Sequence, residues 1–275
     1  MFFGVIVKIT DDFDLQKIAD SGQCFRCQKT DSGFRFVAAK SALAIRKIDE
    51  VTYSVSCSEE EWNAFWIPYF DLGRNYNDVR SAASPGDFLG RAAAEGRGVR
   101  ILRQDPWEML LSFIISQRKS IPAIKKSVES LCDLYGGSYE MPGGTVRLFP
   151  EPKAIYDARE EELGSCGLGY RVPYIKDAAG KVYRGDIDLE ALKALDDDSL
   201  LASLKSVKGV GDKVANCVML FAYGRMSSVP VDTWIKKIIR DKYGGMDPFP
   251  QYGENAGIFQ QYAFYYIQKH KSEVV

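Results

Sequence analysis

The chain has 275 residues, 46% of them apolar and 27% charged, which excludes a disordered or fibrous protein and suits two or three lobes around linked cores. Its formal net charge is −1, and its one histidine is His270, close to the C-terminus, so Ser-His-Asp, Cys-His and histidine-rich metal chemistry find no support. Residues 1–7 are apolar but lack a basic lead and stop at Lys8, too short for a signal peptide. No run reaches the roughly 18 apolar residues of a membrane helix, so a soluble, cytoplasmic protein is expected.

In chain order, the first seventy or so residues read mostly as strand. Phe34-Arg-Phe-Val-Ala, Leu43-Ala-Ile-Arg-Lys-Ile and Val51-Thr-Tyr-Ser-Val-Ser alternate or are β-rich, and Asp31-Ser-Gly reads as a hairpin turn. A short helix is expected over residues 14–20, which Gly22 could terminate. Ser58 and Glu61 have the spacing of a capping box, and the stripe Trp62, Phe65, Trp66 and Tyr69 behind them reads as core. From about Gly98 the pattern turns helical. Asp105-Pro-Trp-Glu supplies an N-cap carboxylate, proline at N1 and glutamate at N3, with Met109, Leu110, Phe113 and Ile114 following the helical period. A second helix spans 120–135 and stops at Gly136-Gly137. A Pro/Gly-rich connection (141–152) and short helices lead on to Lys205. These elements predict an α+β fold: an N-terminal antiparallel β-sheet lobe (residues 1–96) and a mostly α-helical, two-part body (97–275). Six scattered cysteines read as reduced thiols rather than a secreted disulfide framework.

Charge is unevenly distributed. Residues 97–130 hold seven basic and three acidic side chains, and residues 205–242 hold eight and three, whereas 151–204 hold seven and twelve. Local clustering, not the total, sets a binding field, so two basic segments in a neutral protein suit a face that meets a polyanion. A solvated helix face is the other reading.

Residues 204–223 join two helices through Gly209-Val210-Gly211. Two glycines around a small apolar residue permit a tight turn and close backbone approach, and the next helix offers its first N–H groups and dipole to a phosphate. The segment resembles a helix-hairpin-helix, a grip on the DNA backbone; a plain helix connector is the alternative. Lys213 falls in that helix's first turn, where the dipole disfavours a cation, which marks it as a phosphate contact, a nucleophile or a solvent-facing lysine. Asp232, after Val229-Pro-Val, reads as the N-cap of a helix over 233–243. A helix over 212–223 is about 18 Å long. Residues 224–231 reach about 26 Å when extended. Asp232 can therefore stand beside Lys213, placing an amine and a carboxylate at the mouth of one cleft.

Gly209-Val-Gly-Asp-Lys213 followed by Val229-Pro-Val-Asp232 resembles the helix-hairpin-helix–Gly/Pro-Asp superfamily of DNA glycosylases, with the lysine of its bifunctional branch. Ser21-Gly-Gln-Cys-Phe-Arg26, Leu111-Ser-Phe-Ile-Ile-Ser-Gln117, Gly167-Leu-Gly-Tyr-Arg171 and Ala256-Gly-Ile-Phe-Gln260 are similar, in the same order, to motifs of the 8-oxoguanine DNA glycosylase/AP lyases, here of bacterial type. The resemblance implies that Lys213 attacks the sugar C1′ and forms a Schiff base from which β-elimination nicks the strand. Asp232 would stabilise the cationic sugar. Gly22 would accept the N7–H that 8-oxoguanine has and guanine lacks. Gln260 would read the base edge, Phe264 would stack on it, and Cys217 would close the pocket. Gly209, Val210 and Gly211 would hold the DNA backbone, Tyr170 would wedge the duplex, and Arg171 would contact the estranged cytosine.

The sequence departs from that pattern at four places. Ala123 stands where eukaryotic members have a second arginine on the cytosine, which implies weaker opposite-base selectivity. Arg118 replaces a lesion-side asparagine, Trp234 a phosphate-contacting histidine, and Cys27 a tryptophan. Cys24-x-x-Cys27 has no second pair, so no metal is expected, and no iron–sulfur loop or organic cofactor is implied. The implied partner is double-stranded DNA containing oxidised guanine, met by a monomer away from membranes. Two further readings stay open: a monofunctional alkylated-base glycosylase that uses Asp232 without lysine chemistry, and a non-catalytic helix-hairpin-helix binding module.

Overall fold

The computed structural model describes residues 4–275; residues 1–3, the start of the apolar N-terminal stretch, lie outside the described residues. Alternation places Phe34 and Phe36 of β3 (Gly33–Ala38), Leu43 and Ile45 of β4 (Ser41–Lys47) and Tyr53 and Val55 of β5 (Thr52–Val55) in one core. With β1 (Val5–Lys8) and β2 (Cys27–Thr30) they form an antiparallel sheet of order β1-β5-β4-β3-β2, in which Phe36 faces Leu43 and Ile45 faces Val55. Asp31-Ser32 closes the β2–β3 hairpin, as its sequence indicates. α1 (Leu15–Asp20) packs on this lobe, its N-cap Asp14 accepting the Lys17 N–H.

The capping box at Ser58 forms by half. Ser58 Oγ accepts the Glu61 N–H at 3.1 Å at the start of α2 (Glu59–Glu61). The Glu61 carboxylate, however, does not return to Ser58; it accepts from the Trp66 indole N–H at 3.0 Å and from Ser41 Oγ. A buried indole N–H needs an acceptor, and that demand outweighs the local cap. The chain then opens into a π-helical turn (Trp62–Trp66) before α3 (Ile67–Tyr69). Trp62, Trp66 and Tyr69 are core, as their spacing predicts, around a T-shaped pair of Phe36 and Phe70 with centroids 5.2 Å apart.

α4 (Tyr76–Ser81) and α5 (Phe88–Glu95), capped by Asn75 and Asp87, fall within residues 1–96, where no helix was expected after the aromatic stripe. Their apolar faces join the helical body, α5 packing on α14 (Ala256–Lys269). The helix starting at Asp105-Pro is α6 (Pro106–Ser116), and α7 (Ile121–Tyr135) ends at Gly136. The connection after it is not merely loop: β6 (Ser138–Met141) and β7 (Gly144–Arg147) form a hairpin against β4, with Val146 packed on Val37 and Ala42. Four-residue strands are too short for alternation to reveal. The body continues through α8 (Pro152–Asp157), α9 (Glu160–Ser165), α10 (Val172–Tyr183), α11 (Asp197–Lys205), α12 (Asp212–Phe221) and α13 (Thr233–Tyr243). None of the described helices is long and apolar enough to cross a membrane.

Arg100, on the segment that leads from the sheet lobe into α6, is fully buried. Its guanidinium donates to the carbonyls of Phe70, Asp12, Asp71 and Arg74 and to the Asp11 carboxylate, and it lies 4.1 Å from the Tyr76 ring centroid. A second buried polar group near the lobe junction is Glu108 of α6. Burial pushes its carboxyl up to about 8, against the pull of Arg26, and its Oε2 has no partner among the described residues. A carboxyl raised above its ordinary 4.5 favours the folded state while protonated, so this contribution is full below that value and disappears as pH rises through about 8. Thermal unfolding between about pH 5 and about pH 9 should therefore show a loss of stability on the alkaline side that Glu108→Gln flattens. An equally steep loss in the variant would remove Glu108 as its source.

Candidate active site

A cavity of about 370 Å³ opens between the helical body and the Gly22 turn of the sheet lobe, within the range of small-ligand pockets. Lys213, Asp232, Gly22, Cys217, Gln260 and Phe264 all line it. They come from α12, the start of α13, α14 and the turn after α1, so separate lobes must meet before the site exists.

Lys213 is the second residue of α12, which begins without a side-chain cap after Gly211. Its half-buried Nζ lies 3.4 Å from Ser116 Oγ and 5.0 Å from the Phe113 ring centroid. Phe113 is itself held between Phe25 and Phe221. Asp232 is the N-cap of α13, its Oδ1 accepting the Ile235 N–H at 2.9 Å. Lys213 and Asp232 line the same cavity. Burial raises the Asp232 carboxyl above its ordinary range, with the Ile235 N–H and the Lys213 charge pulling the other way. Cys217, one turn beyond Lys213, is buried; burial pushes its thiol up while Lys213 opposes. The arrangement offers a nucleophilic amine beside a carboxylate able to balance positive charge, in a partly dry site where such charge interactions are strong.

The opposite wall is built for close approach. Gly22 has φ +77°, and a Cβ there would come within 2.9 Å of Phe264 Cε1 and 3.1 Å of Ile121 Cδ1. Gln260 is only 3% exposed, yet its Oε1 has no hydrogen-bond partner among the described residues. An unpaired buried acceptor at a cavity wall is costly until a donor arrives.

At the hairpin, Gly209 has φ +81°, and a Cβ there would sit 2.4 Å from the Tyr174 ring. Val210 has a buried side chain, and its N–H donates to Val207 O at 3.0 Å. Tyr170, half exposed at 50%, packs edge-on against Tyr174 and so adjoins the hairpin. Arg171 does not project. It is 5% exposed, donating to the carbonyls of Leu168 and Gln117 under the Tyr170 ring. Buried carbonyls beside a buried guanidinium draw it inward. Arg118 is exposed, at φ +53°, outside the cavity lining and without an ion pair among the described residues.

Several residues at the site carried no role in the sequence reading. Ser116 approaches Lys213, Gln261 lines the cavity, and Gln117 Nε2 donates to Gly209 O at 3.1 Å. Lys119 lines the cavity and donates to Gly167 O at 2.6 Å; burial and the nearby Arg171 lower its pKa. Trp234 and Lys271 lie at the rim, the lysine 5.7 Å from the indole centroid. Ser116 and Gln117 close the Leu111–Gln117 motif and Trp234 follows Asp232 by two, but the contacts of Ser116 and Gln117 lie 97 and 92 positions away, where no local pattern points.

A glycine hairpin feeding a lysine-bearing helix, opposite an N-cap aspartate and beneath an antiparallel sheet lobe, defines the class: a helix-hairpin-helix protein of the base-excision type. Comparison with known proteins narrows it. The family model described as the N-terminal domain of 8-oxoguanine DNA glycosylase matches residues 5–110, and that of the HhH-GPD superfamily base excision DNA repair proteins matches residues 111–259. An 8-oxoguanine glycosylase/lyase from Clostridium acetobutylicum, solved with double-stranded DNA containing cytosine opposite 8-oxoG, superposes with a TM-score of 0.88 at 34% identity, over 98% of this chain and 100% of that one. The N-glycosylase/DNA lyase OGG1 of Arabidopsis thaliana is 30% identical over 79% of this chain, and a probable N-glycosylase/DNA lyase of Methanothermobacter thermautotrophicus is 29% identical over 63%. The chain spans 63% and 64% of the length of these two curated relatives. It belongs to the 8-oxoguanine DNA glycosylase family of the HhH-GPD superfamily.

Gly209→Ala would force the hairpin away from Tyr174 and strain a left-handed turn. Denaturant unfolding should show a loss of about 1–3 kcal/mol. Duplex binding should weaken in parallel, and an unchanged midpoint with unchanged affinity would contradict the packing described.

Proposed function

We propose that the protein is a bifunctional repair enzyme that excises 8-oxoguanine from duplex DNA and nicks the strand at the site it creates. The carrying observation is that one cavity places the Lys213 amine and the Asp232 carboxylate against Gly22 and the unpaired acceptor of Gln260. The lesion turns out of the stack into the cavity. Lys213, free of its proton, bonds to C1′ as the C1′–N9 bond breaks; the electron pair leaves with the base, which takes up a proton. The adduct opens to a Schiff base, and loss of a C2′ proton then expels the 3′ phosphate. Asp232 faces the positive charge that develops on the sugar. Lys213 supplies the covalent chemistry, so the reaction calls for no organic cofactor or metal.

Recognition follows from the walls. The Gly22 carbonyl accepts the N7–H of the oxidised base and repels the lone pair that guanine carries there. Gln260 accepts from the Watson–Crick edge, Phe264 stacks, and Cys217 closes the pocket beside Lys213. Outside the cavity, Gly209, Val210 and Gly211 with the start of α12 hold the phosphate backbone, Tyr170 wedges the gap, and Arg171 leaves its buried seat to meet the opposing cytosine. Arg118 adds a cation at that gap. The working unit is a monomer on the cytoplasmic nucleoid.

Incubation with borohydride and a duplex holding one 8-oxoguanine opposite cytosine should yield a covalent adduct that requires both the lesion and Lys213. Release of the base by Lys213→Gln at the wild-type rate would remove the lysine from its role, and no release by wild type would sink the assignment. Asp232 must be ionised to act, so excision should fall, as pH drops, at a pH above the ordinary carboxylate range. Asp232→Asn should lose that acid limb and about 10²–10³-fold in rate. Retention of the limb in the variant would assign it to another group.

A further inference from the structure

We infer that Gln261 is a specificity-determining positioning residue that aims the Gly22 carbonyl into the base pocket; the inference rests on the function proposed above and deepens it. The carbonyls on either side of Gly22 are both taken by buried glutamine amides. Gln261 Nε2 donates to Ser21 O at 2.6 Å, and Gln104 Nε2 donates to Gln23 O at 2.9 Å. No donor among the described residues takes the carbonyl of Gly22 itself. Two fixed peptide planes thus flank one whose acceptor is unengaged.

Glycine has the widest choice of φ and ψ, and Gly22 is needed here because of its positive φ and the nearness of Phe264. The same freedom would let the Gly22–Gln23 peptide plane rotate and turn its oxygen away. Each peptide unit is rigid, so pinning the planes before and after it restricts that rotation. Gln261 is 3% exposed and belongs to α14, the helix that carries Gln260 and Phe264. One helix therefore sets two walls: Gln260 and Phe264 directly, and Gly22 through the hydrogen bond to Ser21 across the lobe junction. Discrimination between an N7–H and an N7 lone pair depends on where a single oxygen sits, and Gln261 sets that position.

Gln261→Met keeps the length of the side chain and removes the donor. Opening of a preformed abasic site by Lys213 needs no base in the pocket, whereas 8-oxoguanine excision does. The ratio of 8-oxoguanine excision to abasic-site nicking should fall about tenfold in Gln261→Met, on the scale of a buried carbonyl losing its donor. A merely structural role would lower both rates in proportion, and that result overturns the inference. Gln261→Glu supplies an independent arm, which also stands if the methionine variant does not fold. Its carboxylate cannot donate to Ser21 O but its protonated form can, so its ratio, divided by the wild-type ratio at the same pH to remove the limb set by Asp232, should climb as pH is lowered. A flat ratio in this variant would count against Gln261. Wild-type protein that nicks abasic sites but releases no 8-oxoguanine would sink the functional reading itself, and the inference with it.

Discussion

The guanidinium of Arg100 has five N–H donors, and each meets an oxygen inside the protein. Those oxygens belong to the turn after α3 and to the segment before α1, while Arg100 itself sits on the chain entering α6. The backbone beside it continues the clasp: Arg100 O and Leu102 N bond the two ends of the Gln23 side chain amide. A fully paired buried cation is expensive to break, because removing it leaves several carbonyls without donors. The Gly22 turn is thereby held in the frame of the helical body, and the cavity depends on that frame.

Within the frame, the amine and the carboxylate that line the cavity come from helix starts. Asp232 caps α13 and Lys213 lies in the first turn of α12, so backbone geometry rather than a mobile loop places both. Asp232 is buried enough that its carboxyl rises, yet it faces an amine and two backbone N–H groups that favour its charge. The net charge near zero conceals this local order. Lys119 from one basic segment and Lys213 from the other line a single cavity, while the intervening acidic stretch supplies α8–α11.

What was legible in the chain was whatever depends on neighbours in sequence. The caps at Asp105 and Asp232, the hairpin at Gly209-Val210-Gly211 and the strand alternation around Phe36 and Leu43 each follow from residues a few positions apart. Where tertiary demands compete, local patterns mislead. Glu61 leaves its cap for the Trp66 indole and for the hydroxyl of Ser41, 20 positions back. α4 and α5 escaped notice although Asn75 and Asp87 cap them, because six- and eight-residue helices show too little periodicity.

The family, the lysine at the start of α12 and the hairpin were readable from residue order, since spacing along a chain constrains which groups a helix start can present. Residue order could not say that Gln261 would hold Ser21, that Arg100 would gather oxygens from two segments, or that Lys119 would bind the Gly167 turn. Those contacts join residues from 26 to 240 positions apart. A donor in one lobe has no preferred acceptor in another until both are packed, and it is the packing that selects the pair.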